Sequence, residues 1–163
     1  MHQTTLYQLM IRLLLAAGLG AAIGIEREYR QKAAGLRTNI LIALGSALFT
    51  TVSVEMVPAG VDPSRVAAQI VTGIGFLGGG AILRSGRSVH GMTTAVTIWV
   101  NAAVGMAAGA GLFAMAIVAT VITLAALALL RPVEAYLERR AAMTPGGPRR
   151  RATDPPYERD SDK

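Results

Sequence analysis

The sequence contains no cysteine, only 5% aromatic residues and only 16% charged residues. The lack of cysteine excludes disulfide bonds, thiolate metal sites and cysteine nucleophiles. Soluble domains carry about 25% charged residues, so the shortage of charge beside 52% hydrophobic residues indicates a membrane protein. Acidic residues are especially scarce, because no Asp or Glu occurs between Asp62 and Glu134.

Five apolar runs are present, each close to the roughly 20 residues that a helix needs to cross a bilayer. They lie at residues 6–25, 38–57, 66–83, 92–108 and 111–130. In a five-span bundle, all 16 basic residues except Arg12 and Arg65 lie on one side, and such an excess marks the cytoplasmic side. The sequence therefore predicts an all-α fold, a polytopic membrane helix bundle of five transmembrane helices with the N-terminus outside and the C-terminus cytoplasmic. The positive charge then faces anionic lipids, and no nucleic acid partner is predicted.

The same patterns divide the chain into three parts. Residues 1–130 are predicted to form the five-helix membrane domain. Residues 131–140 begin with Arg-Pro and carry apolar residues on one face, which predicts a short juxtamembrane helix. Residues 141–163 are rich in proline, glycine and charge, which predicts a disordered cytoplasmic tail.

Glycines of the third run match the dinucleotide fingerprint G-x-G-x-x-G at Gly73, Gly75 and Gly78. A nucleotide site is not favoured, because the glycines lie within an apolar run and no acidic residue follows about 20 positions later. Two interpretations remain open. The glycines, like the pairs Gly20/Gly24 and Gly105/Gly109 and like Gly45, allow close packing of helices in lipid. Alternatively, the triplet at 78–80 loosens the third helix, so that freed carbonyls line a polar cavity.

Neutral polar side chains are the main polar groups predicted inside the bundle. Together with the glycine triplet they form a candidate polar pathway: Gln69, Thr72, Gly78, Gly79, Gly80, Thr94, Thr97 and Asn101. Asn101 lies near mid-membrane and needs a partner, for which an interhelical hydrogen bond worth roughly 0.6–2 kcal/mol is the simpler interpretation. With no carboxylate at mid-depth and no Ser/His/Asp constellation, we expect no catalytic, metal or cofactor site and no enzymatic activity.

The first cytoplasmic connection, EREYRQKAAGLRT, concentrates the charges of the membrane domain. It supplies the candidate partner-binding residues Glu26, Arg27, Glu28, Arg30, Lys32 and Arg37. Glu26 and Arg30 are spaced to pair on a helix, and Arg27 and Lys32 could bind lipid headgroups. The alternative is that these charges only set topology and form local salt bridges.

Several further residues are predicted to have structural roles. Gly35 suits a turn before the second helix, and Asp62 with Pro63 is typical of a helix start. Arg65 could then pair with Glu55 or Asp62. The complete set of predicted structural residues is Gly35, Asp62, Arg65, Gly73, Gly75 and Trp99.

Three stretches, GAAIGIEREYRQKAAGLRTNILIALGSALF, DPSRVAAQIVTGIGFLGGGAILRSG and GMTTAVTIWVNAAVGMAAGAG, occur in this order. Together they resemble the MgtC/SapB family of bacterial inner-membrane proteins from about Leu13 to Leu130. The resemblance implies a multi-pass inner-membrane protein linked to low Mg²⁺, acid or host stress. It further implies action through other membrane proteins, including the F-type ATP synthase. We expect the family's membrane domain alone, without its soluble C-terminal domain.

Two functional hypotheses follow from these observations. The first is a non-enzymatic modulator of other membrane proteins, with membrane lipids and inner-membrane proteins as partners; the small-residue faces also permit a homo-oligomer. The second is a transporter or channel for a small ion or solute that passes the glycine-rich third helix.

Overall fold

A computed structural model of the chain describes residues 5–56, 62, 64–85 and 88–142. The described part forms five helices and one short antiparallel hairpin. The elements are α1 (Leu6–Tyr29), α2 (Leu36–Met56), α3 (Ser64–Gly80), β1 (Leu83–Ser85), β2 (Ser88–His90), α4 (Met92–Gly109) and α5 (Phe113–Ala142). The helical prediction is confirmed, because each predicted apolar run coincides with one helix.

The bounds of three helices differ from those of the predicted apolar runs. Helix α1 continues to Tyr29, four residues into the charged connection. Helix α3 ends at Gly80, and the residues after it pair as the β1–β2 hairpin, which was not predicted. Helix α5 is continuous through Pro132 to Ala142, so the predicted juxtamembrane segment lies in one helix with the fifth run.

Four helical segments are long and apolar enough to cross a membrane, judged by length and composition. They are α1, α2, α4 and the part of α5 at Phe113–Leu130. Helix α3 has 17 residues, which cover only about 25 Å at 1.5 Å per residue. The structure therefore supports a membrane helix bundle, whereas the count of five spans and the orientation of the termini stay predictions.

Helix α2 packs closely against both α1 and α4, and glycine makes each contact possible. A Cβ atom on Gly20 would lie 2.7 Å from the carbonyl oxygen of Asn39, and one on Gly24 would lie 2.8 Å from Leu36 Cα. On α4, Cβ atoms on Gly105 and Gly109 would collide with the carbonyl oxygens of the α2 residues that they face, Ala43 and Ala47. Close packing through small residues is thus confirmed for α1 and α4.

Glycines elsewhere do not follow this pattern. Gly45 on α2 has no neighbouring atom within 4 Å of its added Cβ position, so its predicted packing role is wrong for the single chain. The same holds for four glycines of α3, namely Gly73, Gly75, Gly79 and Gly80. Only Gly78 of that helix meets a neighbour, the carbonyl oxygen of Ala95 at 3.4 Å.

The C-terminal end of α4 is held by side chains from two other helices. Arg12 Nη1 donates to the carbonyl oxygen of Gly109 at 3.0 Å, and the Thr51 hydroxyl donates to the same oxygen at 3.1 Å. A cation at this end of a helix is favourable, because the helix dipole places partial negative charge there. Gly111 then turns the chain into α5 with φ of +81°, a conformation that favours glycine.

The chain separates into two compact units after Ala126. The first contains α1 to α4 and the start of α5, where Ala116 and Thr120 are buried. Of the second unit, the structure describes residues 127–142, which continue α5. The predicted tail at 141–163 lies outside the described residues from 143 onward. The domain boundaries at 130 and 140 stay predictions.

Candidate functional site: the polar face of α4 and the loop beside it

Helix α4 buries a polar face. Thr94, Thr97 and Asn101 are spaced by three and four residues, so they lie on one side of the helix, and all three are buried. The Thr97 hydroxyl is satisfied within the helix by the carbonyl of Thr93 at 2.7 Å. The other two reach neighbouring helices, and these contacts define the candidate site.

Asn101 contacts α2 through a second asparagine. Its Nδ2 donates to the carbonyl oxygen of Asn39 at 2.7 Å and to Asn39 Oδ1 at 3.1 Å. Both residues are 0% exposed. The predicted interhelical hydrogen bond of Asn101 is thereby confirmed, while its own Oδ1 is buried and accepts no hydrogen bond in the described structure.

Asn39 connects this contact to the loop between α1 and α2. Its Nδ2 donates to the carbonyl oxygens of Ala34 at 2.7 Å and Gly35 at 2.9 Å. Sequence reasoning missed Asn39, because it stands only two residues after Arg37 and resembles a boundary residue. The spacing contained a signal: Asn39, Ala43, Ser46 and Ala47 repeat at helical intervals and are all buried.

Arg27 is buried beside the start of α4. The residue is 4% exposed, its Nη2 donates to Thr94 Oγ1 at 3.3 Å, and its Nη1 lies 3.5 Å from Glu26 Oε2. This burial leaves Arg27 little surface in the single chain for the predicted contact with a partner or with lipid headgroups, and that role stays a prediction. Because α1 continues to Tyr29, Arg27 falls on the same helix face as Gly20 and Gly24, which pack against α2.

The other charges of the connection remain nearer to solvent. Arg30 Nε contacts Glu26 Oε1 at 3.2 Å, which confirms the predicted pair at four-residue spacing. The Glu28 carboxylate accepts a hydrogen bond from the backbone N–H of Leu36 at 3.0 Å and so caps the start of α2. A side chain at Gly35 would meet this carboxylate, which is the movable end of the flexible Glu28 side chain.

The end of α1 is a Schellman turn. The N–H of Lys32 donates to the carbonyl of Arg27 at 3.0 Å, and the N–H of Gln31 donates to that of Glu28 at 2.9 Å. Gln31 adopts φ of 52°, a conformation that costs a non-glycine residue energy. The loop is thus held in one shape at three points: this turn, the Glu28 cap and the Asn39 side chain.

The solvent-facing side of the loop is an open depression. It is lined by Glu28, Lys32, Ala33, Gly35, Leu36, Arg37 and Thr38. Lys32 and Arg37 are exposed there, while the Glu28 carboxylate is engaged by Leu36. We call these lining residues the loop surface. It is basic, and it is fixed from inside by the contacts described above.

The predicted polar pathway is not brought together. Gln69 and Thr72 lie on the exposed side of α3, where the Thr72 hydroxyl donates to the carbonyl of Ala68 at 3.1 Å, whereas Asn101 is buried between α4 and α2. The glycine triplet is helical, and α3 ends at Gly80. The interpretation in which this triplet opens the helix is not supported, because Gly78 packs against Ala95 of α4.

The remaining predicted residues lie away from this site. Asp62 accepts hydrogen bonds from the backbone N–H of Ser64 at 2.8 Å and from its hydroxyl at 2.7 Å. These bonds, with the nearby charge of Arg65, hold the pKa of the Asp62 carboxyl below its usual range. Helix α3 begins at Ser64, and Pro63, predicted as its first residue, lies outside the described residues. Trp99 is half exposed on α4.

Among the residues that the structure describes, no group of three or more His, Asp or Glu side chains is placed to hold a metal ion. The chemistry that the site offers is therefore hydrogen bonding in the interior and positive charge on the loop surface.

The fold and this interior define a class, a helical membrane protein whose helices are held together by small residues and by buried polar and arginine hydrogen bonds. The chain belongs to the MgtC family, whose family model matches residues 13–136. It is 52% identical over 131 residues to "Protein MgtC" of Brucella abortus (strain 2308), covering 78% of this chain and 55% of that protein. It is 49% identical over 127 residues to "Putative magnesium transporter YhiD" of Escherichia coli (strain K12), covering 74% and 59%.

A third relative is "Uncharacterized protein slr0014" of Synechocystis, 48% identical over 128 residues, with 78% of this chain and 54% of that protein covered. The chain spans a little over half the length of these relatives. No solved structure matches it.

Proposed function

We propose that the protein is a non-enzymatic, multi-pass protein of the bacterial inner membrane that modulates other membrane proteins during adaptation to low Mg²⁺, acid or host stress. In this proposal five helices span the membrane, with the N-terminus outside and the loop surface in the cytoplasm. Membership of the MgtC family supports the proposal, and the name of the relative YhiD supports a connection with magnesium.

The observation that carries the proposal is the loop surface. It exposes Lys32 and Arg37 on a backbone that is held by the Glu28 cap and the Asn39 side chain. A surface that is already ordered loses little conformational entropy when a partner binds. Its charge fits an acidic cytoplasmic segment of another inner-membrane protein, and the resemblance suggests the F-type ATP synthase as one candidate. The small-residue faces additionally permit a homo-oligomer.

The proposal is tested by reversing the charge of the loop surface. We expect Lys32→Glu and Arg37→Glu to remove most crosslinking from a photoreactive residue at Ala33 to neighbouring membrane proteins in intact cells, because both cations flank that position. Arg140→Glu is the matched control, since it changes the charge equally at an exposed arginine outside the loop. Crosslinks are identified by mass spectrometry.

Crosslinking that survives both loop variants would overturn the proposal. Loss in the control as well would show that net charge, rather than the loop surface, matters. Each variant is checked for folding by gel filtration in detergent, which separates loss of contact from loss of the bundle.

The second candidate function, transport of a small ion or solute, is favoured by the printed name of the relative YhiD, a putative magnesium transporter. Asn101, whose Oδ1 is buried without a hydrogen-bond donor, is the polar group at which it is tested. This hypothesis predicts flux of Mg²⁺, K⁺ or H⁺ into liposomes that contain the purified protein, and loss of that flux in folded Asn101→Leu. Flux equal to that of empty liposomes would remove this candidate. Flux that persists in the variant would show that the pathway avoids Asn101.

A further inference from the structure

The β1–β2 hairpin between α3 and α4 mixes apolar and basic side chains on both faces. Leu83 pairs with His90, and Arg84 pairs with Val89, so each cross-strand pair joins one apolar and one nitrogen-bearing side chain. Leu83 is 68% exposed and Val89 is 50% exposed, and the two basic partners are exposed as well. An isolated two-stranded hairpin with uncovered apolar residues is only marginally stable in water.

The position of the hairpin is set by the two helices that it connects. Strand β2 ends at His90, and α4, a candidate membrane span, begins two residues later at Met92. Gly91 between them has φ of +86°, and a Cβ there would collide with the carbonyl oxygen of Ala81, so the base of the hairpin is pinned near the end of α3. Strands of three residues reach only about 10 Å, so the hairpin stays near the membrane boundary.

The segment of sequence that contains the hairpin carries charge of one sign. No acidic residue occurs between Asp62 and Glu134, whereas Arg84 is exposed on the hairpin. The headgroup layers of a bilayer together add roughly 10–15 Å to the hydrocarbon thickness, so a short hairpin at the end of a span lies at their level. Exposed apolar side chains beside a cation are the composition of a segment that lies in this layer.

We propose that the β1–β2 hairpin is a binding element for anionic lipid: Arg84 contacts lipid phosphates, while Leu83 and Val89 enter the outer edge of the acyl region. A lipid layer is favoured over a protein partner because both faces of the hairpin carry apolar side chains. Insertion into a layer covers both faces at once, whereas a docked protein surface covers one. The inference is independent of the proposed function of the loop surface.

The test uses the absence of native cysteine. Val89→Cys in the full chain carries a polarity-sensitive dye, and the protein is reconstituted in vesicles of neutral phosphatidylcholine or of phosphatidylcholine with phosphatidylglycerol. Acrylamide, an uncharged quencher that anionic lipid does not repel, is added on both sides and reports exposure of the dye. We expect quenching to fall about fivefold in the anionic vesicles, the effect of one arginine at an anionic surface.

Charge variants show whether Arg84 is responsible. Arg84→Gln is expected to lose the protection, and Arg84→Lys is expected to keep it, because lysine retains the charge. A dye at Ala33→Cys, on the loop surface, controls for general changes in the bundle. Equal quenching in both kinds of vesicle, or full protection in Arg84→Gln, would overturn the proposal.

Contact of the hairpin with a molecule other than lipid would give a distinct result. Protection that increases with the protein-to-lipid ratio would show that the hairpin contacts a second copy of the chain instead of lipid. Protection that appears only in native membranes, and not in vesicles of purified lipid, would show that the hairpin contacts another protein instead of lipid. Both results contradict the proposal.

Discussion

Replacing Gly105 by alanine is expected to destabilise the bundle by about 1–3 kcal/mol, the range for overpacking a close-packed interior. The added methyl group would collide with the carbonyl oxygen of Ala43 and lie 2.9 Å from its Cα. Both are backbone atoms of α2, so no side-chain rotation relieves the contact, and α2 and α4 must move apart. The free energy of unfolding is measured by circular dichroism in mixed micelles of mild detergent and dodecyl sulfate.

Gly45→Ala is the matched control, because it makes the same change on a helix of the same bundle. No atom lies within 4 Å of its added Cβ, and alanine favours a helix over glycine by up to about 1 kcal/mol. The same substitution is therefore expected to have opposite signs at the two positions. A stability loss of equal size at both would contradict the packing of α2 against α4.

Asn39→Ala and Asn101→Ala are each expected to cost about 1–2 kcal/mol of stability. The double variant should cost less than the sum, because the hydrogen bond from Asn101 Nδ2 to Asn39 Oδ1, at 3.1 Å, is lost in either single variant. Asn39→Ala should be the more harmful single change, since it also removes the hydrogen bonds to Ala34 and Gly35. The measurement is a double-mutant cycle of unfolding free energies.

The effect of Asn39 on the loop surface can also be measured by chemical labelling. A cysteine at Ala33 should react faster with a water-soluble thiol reagent in Asn39→Ala, because the loop carbonyls lose their donor. A cysteine at Leu112, in the turn before α5, is the control and should react at an unchanged rate. Additive energies together with an unchanged Ala33 rate would show that the two asparagines do not hold the loop.

The buried polar contacts show where sequence reasoning reached its limit. Asn101 was predicted to need a partner, since a lone amide within an apolar run is costly. The partner could not be identified, because the contact joins residues 62 positions apart. The burial of Arg27 could not be predicted for a related reason. Its charge predicted exposure to solvent, but α1 continues to Tyr29 and places the Arg27 side chain in the interior.

The glycines also differ by their tertiary position and not by their local sequence. Gly20, Gly24, Gly105 and Gly109 meet neighbouring backbone or Cβ atoms, while Gly45, Gly73 and Gly75 face open space. Their local sequences are similar in character, since all lie in apolar runs rich in small residues. Only the side of the helix that faces a neighbour separates the two groups, and that depends on how the helices are arranged.

The membrane class, the approximate positions of the five helices and the family can be read from the sequence alone, because apolar length, charge distribution and motif order are properties of the linear chain. Helix packing selects which polar residues meet: Asn39 with Asn101, Arg27 with Thr94, and Arg12 with the end of α4. It also places Gln69 and Thr72 apart from Asn101. The physical reason is that a buried polar group must find its partner across the bundle, and the packing of helices selects that partner.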